Sequence, residues 1–64
     1  MNKKDFDDLK KLGEIELREK LSAFRNDLYR LRMQLRLGQT KDNAAVSRTR
    51  KNVARVLTLL KQKP

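Results

Sequence analysis

The sequence predicts an all-α fold: a long antiparallel two-helix hairpin with a short N-terminal helix docked on it. Three observations carry this. Only two glycines, Gly13 and Gly38, punctuate the chain, and its one proline is Pro64 at the end. Within the three pieces so divided, apolar residues recur at spacings of three and four, with no strand alternation and no internal repeat of solenoid length. The link GQTKD, 38–42, is too short for the flanking helices to part widely, so they return antiparallel.

The first helix is expected at about 3–11. Asn2 is placed to cap it, and Asp5 puts a negative charge in its first turn, where the helix dipole favours one. So short a helix does not hold alone in water. Phe6, Leu9 and Leu12, three residues apart, are its predicted anchors.

The second helix is expected at about 14–37. Leu17, Leu21, Phe24, Leu28, Leu31 and Leu35 are spaced 4, 3, 4, 3, 4, a seam sustained for nearly three heptads. At 1.5 Å per residue this helix is roughly 36 Å long. Glu14 and Arg18 stand one turn apart, suited to an ion pair. Gly38 fits the left-handed position that closes such a helix.

The third helix is expected at about 43–62, capped by Asp42 or Asn43. Val46, Thr49, Val53, Val56 and Leu60, with Leu57 beside them, form its matching seam. One domain, 1–64, accounts for the chain. Two stripes make a thin core, and a scaffold of this size usually needs a staple. The first helix or a bound partner must supply it.

Charge adds the functional direction. The net charge is +9. Residues 1–28 hold seven Lys/Arg against seven Asp/Glu, whereas residues 29–64 hold ten against the single acid Asp42. Solubility does not require such sorting; a polyanion partner, most often nucleic acid, accounts for it. Around the third helix, Arg48, Lys51 and Arg55 fall nearly opposite the seam and are expected to point outward together, with Arg50 on the flank. Along one flank of the second helix run Arg18, Arg25, Tyr29, Arg32 and Arg36, while Glu16 and Asp27 occupy the other. Guanidinium groups bind phosphate bidentately and stack on bases, and a tyrosine stacks on an unpaired base. Such a rod is suited to phosphates and 2′-hydroxyls of structured RNA, read by shape more than by sequence. Each feature also has a plainer reading. The arginine stems cover apolar surface, Tyr29 packs on the first helix, and Gln39 is an ordinary turn residue rather than an RNA contact.

Enzymatic readings find no support. Cysteine and histidine are absent, which removes thiolate and imidazole ligands and the commonest general base. No glycine-rich phosphate loop or nucleophile elbow is present. Asp5, Asp7 and Asp8 read as a solvated helix start, so no catalytic residue, metal site, cofactor or small-molecule substrate is expected. No apolar run approaches the ~20 residues of a bilayer span, and the N-terminal stretch lacks the apolar centre of a signal peptide. The expected compartment is the cytosol, with no membrane partner.

Three segments add a resemblance. LKKLGEIEL (9–17), LYRLRMQLRLGQ (28–39) and RKNVARVLTLL (50–60) resemble, in order and spacing, the motifs of a bacterial-type large-subunit ribosomal protein of the L twenty-nine family. Gly13 stands where a serine cap is common, Thr40 where a leucine is usual, and Ala45 and Ser47 where basic residues are frequent. The resemblance implies a three-helix structural constituent of the large ribosomal subunit, bound to its RNA near the polypeptide exit tunnel. It also implies ribosomal protein L twenty-three as a neighbour and a place where nascent-chain factors dock. On this match Arg32, Gln39, Arg50, Lys51 and Arg55 are the foremost RNA candidates, joined from the charge pattern by Arg25, Tyr29, Arg36 and Arg48. The competing reading is a coiled-coil protein-interaction module whose seam pairs with another chain; an amphipathic helix on an anionic membrane ranks behind both.

Overall fold

A computed structural model describes residues 3–62 and contains three helices: α1 Lys3–Lys10, α2 Glu14–Arg36 and α3 Asn43–Gln62. The expected cap Asn2 lies outside the described residues. Helices α2 and α3 form the main packing unit, and α1 lies chiefly against α3. The molecule is a rod of 41 × 21 × 14 Å.

Each helix boundary has a local cause. Gly13 precedes α2 with φ −75° and ψ 175°, and its carbonyl accepts the first helical bond from the Leu17 N–H at 2.9 Å. It has no side chain to cap the free amides. Glu14 and Glu16 place negative charge in that first turn instead, and Arg18 Nη2 donates to Glu14 Oε1 at 2.7 Å. At the other end Gly38 takes φ 73°, a left-handed conformation free of Cβ strain only in glycine. The Gln39 N–H donates to the Gln34 carbonyl at 2.8 Å and the Gly38 N–H to the Leu35 carbonyl at 3.2 Å. These two bonds make a Schellman closure, which satisfies carbonyls the helix would leave open.

Asp42 is the cap of α3: its Oδ1 accepts the Ala45 N–H at 3.0 Å. Asp42→Ala is expected to cost about 1 kcal/mol and to lower the melting temperature by roughly 5 °C. Asp42→Asn keeps a capping oxygen and should melt close to the wild type. A circular dichroism melt that ranks the two alike would refute the capping role.

The core lies at one end of the rod. Leu9, Leu17, Val56 and Leu59 are buried, with Phe6, Leu12, Leu21, Phe24 and Leu60 packed around them. Here three helices meet, and each side chain finds apolar neighbours on several sides. Toward the turn only two helices remain, and Leu28, Leu31 and Leu35 are half-buried. The seam residues of α3 expected from spacing are all buried or half-buried. Leu59 is an addition: it lies off the two-helix seam and is buried because α1 brings Leu9 against that flank.

Candidate nucleic-acid interface

The basic side chains divide between two sides of the hairpin. Helical geometry, at about 100° per residue, puts Arg25 and Arg32 of α2 with Arg50 of α3 on the side away from α1. All three are exposed, as is Arg36 nearby. Ser47, Arg50, Lys51 and Ala54 line a shallow depression of about 270 Å³ on the outer surface of α3. Among the described residues, Arg25, Arg32, Arg36, Arg50 and Lys51 carry no ion pair. Their charge is therefore open to an external anion. Arg18 and Arg30, by contrast, are held by Glu14 and Asp27 one turn away on the same helix.

Arg48 is exposed, and its Nη2 lies 3.8 Å from Asp42 Oδ2. Exposed pairs of this kind contribute only about 0–1 kcal/mol. A phosphate approaching Arg48 would meet little resistance from it.

Arg55 departs from the sequence expectation. It does not point outward with Arg48 and Lys51 but is half-buried, with Nη1 enclosed and without a hydrogen-bond partner. The reason is α1. A wheel drawn for a two-helix hairpin leaves the Arg55 flank in water, whereas packing of the first helix covers it. Asn52, one turn earlier, is affected in the same way: it is half-buried and its Oδ1 is enclosed without a partner. Nothing in the apolar periodicity pointed to Asn52.

Tyr29 is 69% exposed, which removes the reading in which it packs on α1. With Met33 and Leu37, at successive helical turns, it makes a short exposed apolar strip at the C-terminal end of α2, while Ile15 is a separate exposed side chain at the helix start. Gln39 is exposed; its backbone closes the turn and its side chain extends into solvent.

Among the described residues, no cluster of carboxylates could hold a metal ion, and no helix is long and apolar enough to cross a membrane. The arrangement that remains is a rod with exposed cations and a small apolar strip.

Comparison of the sequence with known proteins matches the chain to one family. The model of the family described as "Ribosomal L29 protein" matches residues 7–63. Relatives named "Large ribosomal subunit protein uL29" include one from Saccharolobus solfataricus, 39% identical over 92% of this chain and 81% of its own. Another, from Sulfurihydrogenibium, is 36% identical over 88% of this chain and 84% of its own. A third, from Lactobacillus acidophilus, is 38% identical over 88% of this chain and 86% of its own. No solved structure gives a significant match. With a family model spanning nearly the whole chain and relatives above 30% identity, the chain belongs to the ribosomal L29 protein family, whose members are structural, non-enzymatic proteins of the large ribosomal subunit.

Proposed function

We propose that this chain binds large-subunit ribosomal RNA through the exposed cations of α2 and α3, within cytoplasmic ribosomes and close to the polypeptide exit tunnel. The carrying observation is the set Arg25, Arg32, Arg36, Arg50 and Lys51, exposed and free of ion pairs in a chain of this family. Guanidinium forks engage phosphate oxygens bidentately, and their fixed spacing on rigid helices positions the protein along an RNA backbone. Arg48 joins this set by exchanging Asp42 for a phosphate. Tyr29 offers a stacking surface beside the arginines of α2, and Gln39 a polar contact at the turn. Arg55, half-buried, supports the α3 surface from beneath more than it meets RNA directly. The role is to screen phosphate repulsion and brace RNA segments.

The tunnel-exit location rests on the family resemblance. The exposed apolar pair Met33 and Leu37 supports a protein neighbour there, and we assign it to ribosomal protein L twenty-three, with nascent-chain factors docking nearby. The coiled-coil alternative loses its main support, because the seam of α2 is taken up by α3 of the same chain.

The test is co-sedimentation with large ribosomal subunits across a salt titration. Each neutralised phosphate releases counterions, so occupancy should fall steeply between 0.1 and 1 M salt, as an order-of-magnitude range. Binding that stays flat over this range would reject the phosphate mechanism.

A further inference from the structure

A groove of about 600 Å³ opens where the three helices meet, within the roughly 300–1,000 Å³ of pockets that hold small organic groups. Its walls include Asp8 and Leu12 of the N-terminal segment, Lys20 and Phe24 of α2, and Arg48, Thr49 and Asn52 of α3. Two features of its wall bear on what can enter it. Phe24 is only half-buried although it borders the core, so ring surface remains for a visitor. Asn52 holds an enclosed Oδ1 without a partner, at a position where an apolar side chain would leave no polar atom unsatisfied.

We propose that this groove receives one unpaired nucleobase of the bound RNA, of the kind that carries an exocyclic amine. The inference rests on the RNA-binding reading above. A nucleobase is an apolar plate with a polar rim, which matches a wall of Phe24 and Leu12 edged by Asp8, Thr49 and Asn52. The ring stacks against Phe24, as splayed-out bases do on aromatic side chains. The exocyclic amine donates to the Asp8 carboxylate, which is exposed. Asn52 turns the outer end of its carboxamide to the base edge, and a half-turn about χ2 lets that end be Nδ2 or Oδ1. Arg48, at the mouth, takes the phosphate of the same nucleotide, which connects the groove to the cations of the outer surface of α3. A peptide side chain of purely apolar character would leave Asn52 and Asp8 unmatched.

The experiment probes large-subunit RNA bound to the full chain with two kinds of reagent. Hydroxyl radicals report backbone protection. Dimethyl sulfate and a glyoxal reagent report the Watson–Crick edges of adenine, cytosine and guanine. The expected result is an unpaired base protected by the wild-type chain and exposed again with Asn52→Leu and with Phe24→Leu, while backbone protection persists. Persistence of that backbone footprint, with helix content matched by circular dichroism, shows that a variant is folded and bound, and either variant alone suffices. A backbone footprint with no base protection sensitive to these variants overturns the groove assignment and leaves the phosphate reading standing. Absence of any footprint with the wild-type chain overturns both.

Discussion

Leu17→Ala is expected to remove most of the stability of this fold. Leu17 is fully buried at the point where all three helices meet, in contact with the cluster of Leu9, Val56 and Leu59. Truncating such a leucine costs about 2–5 kcal/mol, from lost transfer energy and the cavity left behind. Domains are stable by only roughly 0.05–0.15 kcal/mol per residue, so the loss takes a large share of what a chain this short can have. The expected thermal shift is on the order of 10–40 °C, at about 4–8 °C per kcal/mol for a domain of this size. Leu35→Ala, on the same seam but half-buried near the turn, should shift the transition less than half as far. Circular dichroism melts of the two variants decide the matter: equal shifts would mean that the core is spread evenly along the hairpin.

The second large effect concerns affinity. Arg50→Glu combined with Lys51→Glu should weaken binding to large-subunit RNA at least roughly tenfold at about 0.1 M salt, and lower the salt slope by about 2. Both side chains are exposed and carry no ion pair among the described residues, so reversing them disturbs no contact there. Helix content should be unchanged. Filter binding at several salt concentrations measures both quantities, and an unaltered slope would remove these two residues from the interface. A wider reversal that included Arg55 would confuse the outcome. Arg55 is half-buried with one guanidinium nitrogen enclosed, and a glutamate there would bring an uncompensated charge toward the core. Loss of affinity in that variant would report unfolding as much as a missing contact.

The exposed apolar side chains of Tyr29, Met33 and Leu37 fit the same picture of a component made to be covered. The thin, two-helix end of the rod points the same way. Its leucines are only half-buried within the chain itself, and a partner that binds the folded form would add stability by mass action.

Much of this was written in the sequence alone. The 4, 3, 4, 3, 4 spacing from Leu17 to Leu35, the left-handed glycine at 38 and the capping carboxylate at 42 determined where the long helices run and how they close. These are local effects, set by side-chain spacing and backbone sterics within a few residues. The separation of cations from acids along the chain needed no coordinates either. What only the tertiary structure decided was the fate of one flank of α3. Leu59, Asn52 and Arg55 look like outer positions to any wheel drawn for two helices, and they are buried or half-buried because α1, distant in sequence, packs on that flank. Periodicity reports which face of a helix is apolar. It does not report which second neighbour comes to lie on the flank, since that depends on contacts between residues about fifty positions apart.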